Sequence, residues 1–325
     1  MILVIGEALI DLIGTEGEAG QYVAVVGGAN ANVALALARR GEPQQFLGRI
    51  SSDGFGKQIR NHLASNSVGL GLSVAASEQT SLAVATIDRQ GVASYSFYVD
   101  GTADWGWTEQ ELPTQAKVSE LGAKAVQYGC LGMAIGPGNL VIENWLKGLA
   151  DAGSVTLSHD LNIRSALGFD REVELERVLR INSFSHIIKA SDADIEWLYD
   201  LPEGSNLDEI AFSWAENSKL VLITRGSEGA DIFHHGNKVR VPAPKISLVD
   251  TVGAGDTFMA NFLAELSQRD GLGSNPSMRI ERLSAEDLRA SAAVAVVAAG
   301  IVCERKGCEP PSLRETTARL QGSLE

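Results

Sequence analysis

Short apolar runs alternate with helix-forming segments along most of this chain, and that alternation constrains the fold more than any other feature. Strands that alternate with helices build a mainly parallel sheet with helices on both faces. The sequence therefore predicts an α/β fold of this kind, formed by residues 1–325 as one domain. The predicted strands lie near residues 2–6, 44–50, 125–129, 155–160, 186–189 and 220–224, and the predicted helices near 55–65, 138–151, 171–182, 191–200 and 206–216.

Two segments, at residues 9–26 and 79–104, interrupt this alternation of strands and helices. Within the second, residues 80–87 and 94–99 alternate polar and apolar side chains on either side of Asp88-Arg89-Gln90-Gly91, a pattern typical of a β-hairpin. We expect the two segments to form a small β-sheet that lies over one edge of the main sheet as a lid.

The charge and apolar pattern exclude two classes of partner. The formal net charge is −14, and no basic run is present, so binding to nucleic acid is not expected. The longest apolar run, residues 290–303, is too short and too rich in alanine to span a bilayer, and it predicts a buried helix instead. The first residues form a strand pattern without the charged start of a signal peptide, which favours the cytoplasm.

The cysteines and histidines give no sign of a metal centre. Three cysteines are an odd number, and none forms a close pair, so we expect reduced thiols in a cytoplasm. The five histidines are not spaced as metal ligands either.

The segment Asp250-Thr251-Val252-Gly253-Ala254-Gly255-Asp256 has the composition of a strand-to-helix turn that approaches a ligand closely. The two glycines remove side chains, and the free N–H groups of the following helical turn attract anions, phosphate above all. Asp256 is unexpected beside a phosphate. Helix capping would explain it, and so would a base that takes a proton from an attacking hydroxyl.

A second glycine-opened helix follows Gly27-Gly28-Ala29-Asn30-Ala31-Asn32 near the N-terminus. Asp11, Gly28, Asn32 and Arg164 offer short polar groups and backbone that suit the hydroxyls of a neutral polyol. Each also has a structural explanation. Asp11 could close a turn, Asn32 could cap a helix, and Arg164 could form a surface ion pair.

The segment around Thr224, Gly226 and Gly229 offers backbone N–H groups that suit a nucleotide, although the two glycines also fit a simple hairpin bend. Ligands of open α/β sheets bind beyond the carboxyl ends of the strands, where all these segments lie. Neither a G-x-x-x-x-G-K-[ST] loop nor a G-x-G-x-x-G after the first strand is present, so the two commonest nucleotide-binding folds lose support.

Together the two glycine motifs, at 27–32 and 250–256, make the chain resemble the ribokinase-like (PfkB) family of carbohydrate kinases over essentially its whole length. Weaker signals make it most similar to the bacterial fructokinases within that family. They are Asp160-Leu161-Asn162-Ile163-Arg164, Gly101-Thr102-Ala103-Asp104 and Lys306-Gly307-Cys308-Glu309-Pro310-Pro311.

The resemblance implies an ATP-dependent transfer of phosphate to a sugar, with Mg²⁺ and in some relatives K⁺. It implies that Asp256 is the base and that Gly253, Ala254 and Gly255 form the anion hole. Sugar binding would fall to Asp11, Gly28, Asn32 and Arg164, and nucleotide binding to Thr224, Gly226 and Gly229.

Two positions depart from the family pattern. Many members have Asn-x-x-Glu in a segment linked to Mg²⁺ and phosphate, where this chain has Ser191-Asp192-Ala193-Asp194. Asp194 is therefore the candidate for the magnesium region, on a shorter arm. Ser291 replaces an asparagine often found near the adenine.

The sequence leaves several alternatives open. A 2-keto-3-deoxygluconate kinase would use Arg164 to pair a substrate carboxylate, and a ribokinase or nucleoside kinase would use the same base. A sugar- or nucleotide-sensing module without catalysis is the alternative outside the class, and a dehydrogenase lacks its dinucleotide motif. An exposed lid edge needs covering, which predicts a homodimer through the lid.

Overall fold

The structure is a computed structural model that describes residues 1–14, 20–87, 93–217 and 219–322. The predicted hairpin turn at residues 88–91 lies outside the described residues. The strands are β1 (Ile2–Ile5), β2 (Leu9–Gly14), β3 (Tyr22–Gly27), β4 (Gln44–Leu47), β5 (Arg49–Ser51), β6 (Val74–Ala76), β7 (Leu82–Ile87), β8 (Ala93–Tyr98), β9 (Ala125–Gly129), β10 (Thr156–Asp160), β11 (Ile187–Ser191), β12 (Leu220–Thr224), β13 (Ala230–His234) and β14 (Asn237–Val241).

The helices are α1 (Ala29–Arg40), α2 (Gly54–Ser65), α3 (Gln115–Glu120), α4 (Leu131–Ala134), α5 (Gly138–Asp151), α6 (Arg171–Phe184), α7 (Asp192–Leu198), α8 (Asp208–Trp214), α9 (Ala254–Gln268), α10 (Pro276–Glu281), α11 (Ala285–Cys303) and α12 (Leu313–Gly322). Within the described part of the chain, none of them has the length and apolar character needed to cross a membrane.

Eight strands form the central sheet, in the order β14-β13-β12-β11-β10-β9-β1-β4. Every neighbouring pair from β4 to β12 is parallel, and only β13 and β14 join the edge in antiparallel orientation. The prediction of a mainly parallel sheet is therefore confirmed. Parallel strands place their carboxyl ends at one edge, where the loops after β1, β9, β10, β11 and β12 come together.

Helices cover both faces of this sheet, as the alternating pattern predicted. Val4 packs with α1, α9 and α11 in one cluster, whereas its neighbour Leu3 packs with α5 in another. Successive side chains of a strand point to opposite faces, so the two clusters lie on opposite sides of the sheet. Because both faces are buried, strands such as β1 and β12 read as nearly continuous apolar runs in the sequence.

A separate four-stranded sheet has the order β3-β2-β7-β8. Its strands come from the two segments that interrupt the βα rhythm, and β7 pairs with β8 in antiparallel orientation as the hairpin pattern predicted. β3 and β8 are its edge strands. Exposed apolar side chains lie on both edges, among them Val23 on β3 and Tyr98 on β8.

Two details of the sequence-based prediction are wrong. Residues 44–50 form two strands instead of one, because the chain turns at Gly48: β4 pairs with β1 in the central sheet, and β5 pairs with β6 in a small sheet of its own. The chain also continues into α12, which the sequence did not predict. In contrast, the buried helix predicted at residues 290–303 is confirmed as part of α11, and the Ser284 side chain caps its start by accepting a hydrogen bond from the Asp287 N–H.

Candidate active site

A cavity of about 540 Å³ opens at the carboxyl edge of the central sheet. The loops after β1, β9 and β10 line its floor, and the first turn of α9 lines one wall. The four-stranded sheet supplies the opposite wall through Leu9 and Asp11 on β2, Ala83 on β7 and Phe97 on β8. The cavity therefore lies between the central sheet and the segments predicted to form a lid.

Eight of the residues that the sequence singled out line this one cavity. They come from four distant parts of the chain and are Asp11, Gly28, Asn32, Arg164, Gly253, Ala254, Gly255 and Asp256. The predicted sugar groups and the predicted phosphate turn at residues 253–256 thus line the same space. Their individual roles stay predictions.

Four other predicted residues lie outside the cavity lining. Thr224 ends β12, and Gly226 opens a short 3₁₀ turn that Gly229 closes before β13. This loop lies at the same edge of the sheet, beside the end of β11. Asp194 follows β11 in the first turn of α7, where its two carboxylate oxygens accept hydrogen bonds from the N–H groups of Ser191 and Ile163.

The phosphate turn owes its shape to Gly253. Its φ of +76° lies in the left-handed region that residues with a side chain rarely adopt, and α9 begins at the next residue. A Cβ on Gly253 would also collide with the side chain of Cys308. The Ala254 N–H donates to the Thr251 carbonyl at 3.2 Å, whereas the N–H groups of Gly255 and Asp256 have no acceptor within the helix and can receive an anion above the turn.

Asp256 lies in that first turn, where it is 7% exposed, and its Oδ2 accepts a hydrogen bond of 2.9 Å from Asn32 Nδ2. Burial raises the pKa of this carboxyl group to about 7, and the negative charge of Asp160 adds to the effect. The Asn32 hydrogen bond and the charges of Lys189 and Arg164 oppose it. A base with a pKa near the working pH is well matched to proton transfer.

Asp11 stands on the opposite side of the cavity, on β2. Its burial raises the pKa of the carboxyl group to about 6, whereas the positive charge of Arg164 lowers it. Arg164 forms no ion pair with any described residue, so its guanidinium is available to a ligand. Short polar groups of this kind suit the hydroxyls of a small polar substrate.

Sequence reasoning gave no role to a buried ion pair at the floor of the cavity. Lys189 Nζ donates to Asp160 Oδ1 at 2.9 Å and to Oδ2 at 2.8 Å, and the two side chains are about 5% exposed. Burial alone would lower the pKa of Lys189, but the charge of Asp160 raises it, so the ammonium group stays charged. Its third N–H has no acceptor among the described residues.

Lys189 lies directly beside the phosphate turn, since its Nζ is 3.3 Å from the position that a Cβ on Gly255 would occupy. The available signal was a lysine inside an otherwise apolar central strand, because such a charge is buried only with a partner. The sequence could not name Asp160 as that partner, since 29 residues separate the two.

Glu7 is the second residue that sequence reasoning missed. It follows β1, is 1% exposed, and lines the cavity. Its Oε1 accepts from the Ala29 N–H at 2.8 Å, and its Oε2 accepts from Asn30 Nδ2 at 3.1 Å and from the Gly132 N–H at 3.2 Å. Glu7 therefore fixes the start of α1, which carries Asn32, against the loop after β9.

Asp250 organises the chain before the turn. Its Oδ1 accepts from the Val252 N–H at 3.0 Å, and its Oδ2 accepts from the Gly307 N–H at 2.8 Å. Asp250 therefore shapes the loop that leads into the turn.

The described residues contain no group of three or more His, Cys, Asp or Glu side chains that could hold a metal ion. Asp194, the predicted magnesium residue, does not line the cavity, but it accepts a hydrogen bond from the Ile163 N–H in the segment 162–166, which forms part of the cavity wall.

A buried carboxylate at an anion-binding helix start, facing a polar cleft at the carboxyl edge of a parallel sheet, defines a phosphotransferase that acts on small hydroxyl compounds. The model of the pfkB family of carbohydrate kinases matches residues 1–315. The chain belongs to this family, and it is a carbohydrate kinase.

Relatives with assigned functions also support a carbohydrate kinase. The chain is 36% identical over 272 residues to a fructokinase from Rhizobium leguminosarum bv. trifolii, covering 82% of this chain and 79% of the relative. The crystal structure of a fructokinase with bound ATP from Xylella fastidiosa superposes with a TM-score of 0.88 at 25% identity, covering 100% and 99% of the two chains.

A fructokinase double mutant from Vibrio cholerae O395, solved with fructose, ADP and a potassium ion, matches with a TM-score of 0.80. It covers 98% of this chain and 97% of its own, and at 22% identity it supports the fold alone.

Proposed function

We propose that the protein is an ATP-dependent fructokinase, which transfers the γ-phosphate of ATP to a primary hydroxyl of fructose. The observation that carries this proposal is Asp256, a buried carboxylate that lies between the phosphate turn and Asn32. Similarity to fructokinases from several organisms supports the choice of sugar.

In the proposed reaction Asp256 accepts the proton of the sugar hydroxyl as that oxygen attacks the γ-phosphorus. The N–H groups of the Gly253–Gly255 turn and the free N–H of Lys189 stabilise the negative charge on the transferred phosphoryl group. Asp11, Gly28, Asn32 and Arg164 hold the remaining hydroxyls. Phosphoryl transfer leaves little covalent work for the protein, so positioning and charge stabilisation supply most of the rate.

Thr224, Gly226 and Gly229 would hold the nucleotide. The loop they define lies next to β11, which carries Lys189, so a nucleotide bound there can extend its phosphates to the turn before α9. The N–H groups of Gly226 and Ser227 have no acceptor among the described residues, which suits them to bind a ligand.

Mg²⁺ would enter with ATP and neutralise charge on the β- and γ-phosphates. The ion keeps several waters and needs few protein carboxylates, so Asp194, which does not line the cavity, suits a role through water. The loop at 251–252 and the turn at 300–307 are candidates for K⁺, since Asp250 joins the two segments. Assays with and without each ion test both assignments.

The four-stranded sheet acts as a lid in this proposal. Four of its side chains already line the cavity, so closure would exclude water and limit hydrolysis of ATP. The apolar edges of the same sheet would pair in a homodimer. We propose further that residues 1–325 form one domain and that the enzyme works in the cytoplasm.

An assay that couples ADP formation to a spectroscopic signal, run over a panel of sugars, tests the function. We expect the highest kcat/KM with fructose. A higher value with ribose or a nucleoside would overturn the choice of sugar. Binding that raises the melting temperature without any product would instead identify a sensing module.

A 2-keto-3-deoxygluconate kinase is the second candidate, because Arg164 has no ion-pair partner among the described residues and could bind a carboxylate. The sugar acid belongs in the same panel. An Arg164→Gln variant that loses activity on the acid, but keeps activity on fructose, would favour this alternative.

A further inference from the structure

A fully buried carboxylate lies beside the proposed nucleotide loop, and the mechanism above gives it no role. Asp231 on β13 is 0% exposed, yet it carries three cationic partners. Arg225 Nε donates to its Oδ2 at 2.8 Å, and Arg240 Nε donates to its Oδ1 at 2.7 Å. Lys238 Nζ lies 3.3 Å from Oδ2.

This carboxylate remains charged at every working pH. Burial alone would raise the pKa of Asp231, but the hydrogen bonds from Arg240 and Arg225, with the charge of Lys238, lower it to about 2. A buried carboxylate that accepts several charge-assisted hydrogen bonds holds its cationic partners firmly. Loss of one partner would leave buried charge unpaired, which is strongly destabilising.

The three cationic partners of Asp231 lie on different elements of the chain. Arg240 and Lys238 lie on β14, a regular edge strand, and the Arg240 side chain is 53% exposed. Arg225 is the first residue of the loop between β12 and β13, and its side chain is only 12% exposed. Among the described residues, the Arg225 ion pair is therefore the side-chain bond that ties Asp231 to this loop.

Backbone hydrogen bonds hold the loop, including one from the Gly229 N–H to the Gly226 carbonyl at 3.2 Å. The Arg225 N–H donates to the Gly229 carbonyl at 2.8 Å, and the Glu228 N–H donates to the Arg225 carbonyl at 2.9 Å. Gly229, with φ at +99°, packs so closely on the Val241 carbonyl that no Cβ would fit. The N–H groups of Gly226 and Ser227, two exposed residues, have no acceptor among the described residues.

We propose that Asp231 is a positioning residue for the nucleotide. By holding the Arg225 side chain, it fixes the 225–229 loop so that the free N–H groups of Gly226 and Ser227 are oriented for the nucleotide before ATP binds. Preorganised donors cost less ordering entropy on binding. The inference rests on the proposed nucleotide role of this loop and adds the residue that holds it in place.

Two substitutions that each remove one cation from Asp231 test the proposal as a matched pair. We expect Arg225→Gln to raise KM for ATP about 10-fold, which is the loss of one charge-assisted hydrogen bond, with KM for fructose within about twofold. Arg240→Gln should leave both constants within about twofold, because it does not hold the loop. Arg225→Lys, which keeps the charge, should recover part of the loss.

Asp231→Asn distinguishes positioning from a direct contact. If Asp231 acts through Arg225, this variant raises KM for ATP as Arg225→Gln does. An unchanged KM for ATP in Asp231→Asn would mean that Arg225 itself binds the nucleotide, and the proposal would be wrong. Equal rises in both Michaelis constants, or equal effects of the Arg225 and Arg240 substitutions, would also overturn it.

Calorimetric titration with MgADP separates this inference from the proposed function. A wild-type protein that binds MgADP but phosphorylates no sugar would refute the fructokinase assignment and leave the comparison of Arg225→Gln with Arg240→Gln intact. An active wild-type kinase whose affinity for MgADP is the same in both variants would refute the inference alone. Melting temperatures identify any variant that fails to fold.

Discussion

At the scale of single residues, the site contains several ionisable side chains that are buried. Asp256, Asp160, Lys189 and Glu7 are all buried, and each is stabilised by one or more specific hydrogen bonds. Such groups are costly in a protein interior unless they are paired, and shifted pKa values concentrate at functional sites for that reason.

Asp256→Asn should lower kcat by several orders of magnitude, because the amide cannot accept the hydroxyl proton and carries no charge. The substitution keeps the size of the side chain, so affinities for MgADP and fructose should change little. Steady-state kinetics and calorimetry measure the two effects. Activity close to that of the wild type would refute the proposed base.

The pH dependence of kcat/KM should follow the ionisation of Asp256. A base works only when deprotonated, so with a pKa near 7 the rate should rise with pH and fall about tenfold per unit well below pH 7. Asn32→Ala removes a hydrogen bond that lowers this pKa, so the acidic limb should move to higher pH.

The same Asn32→Ala variant should raise KM for fructose far more than KM for ATP, because Asn32 lies on the sugar side. An equal rise in both constants would contradict the two-sided site, and an unmoved acidic limb would contradict the coupling to Asp256.

Lys189 should contribute to catalysis beyond its ion pair. The double variant Lys189→Met with Asp160→Asn leaves no unpaired buried charge, so it should fold, while kcat falls roughly 100-fold through loss of a charge that stabilises the phosphoryl group. The melting temperature of the double variant, compared with that of the wild type, shows whether the fold is kept. A double variant with unchanged kcat would make Lys189 purely structural.

At the scale of elements, two helix starts meet across one cavity. α1 brings Asn32, held through Glu7, and α9 brings the phosphate turn, held through Asp250 and Gly253. The two helices pack directly against each other in the core, so their starts keep a fixed separation.

Gly253→Ala should damage both stability and activity. The added methyl group meets Cys308, and alanine is strained at the left-handed φ of this position, so the unfolding free energy should fall by roughly 1–3 kcal/mol and kcat at least about tenfold as the turn shifts. Adding Cys308→Ala should restore part of the stability but little of the activity. Cys308→Ala alone should behave as the wild type.

Much of this could be predicted from sequence because its signals are local. Glycines at 253 and 255 beside an apolar helix indicate a turn that binds anions, and Ser284 with Asp287 indicates a helix cap. The pairing of Lys189 with Asp160 and the three bonds of Glu7 join distant segments, so no local pattern reveals them. The raised pKa of Asp256 could not be predicted either, because it arises from burial in the assembled fold.

At the scale of the whole molecule, the small four-stranded sheet carries both the proposed lid function and the proposed dimer interface. Its strands line the cavity on one side, while its edge strands expose apolar side chains such as Val23 at 56% and Tyr98 at 62%. Exposed apolar edges invite pairing with another chain.

Light scattering at assay concentration should give twice the 34.5 kDa mass of one chain. Val23→Lys places a charge on the edge strand β3 and should shift the protein to the monomer without unfolding it. Lys147→Glu, a charge change at an exposed position of α5, which packs on the opposite face of the central sheet, serves as the control. A monomeric mass for the wild type would refute the dimer.

The hydrogen bond between Asn32 and Asp256 joins positions 224 residues apart in the chain. During synthesis the turn that carries Asn32 therefore leaves the ribosome long before Asp256 is made, and no partial chain that ends before α9 contains both sides of the proposed site. If Asp256 is the base, a chain that ends before α9 turns over no ATP, and activity appears only after the C-terminal helices have docked onto the N-terminal half.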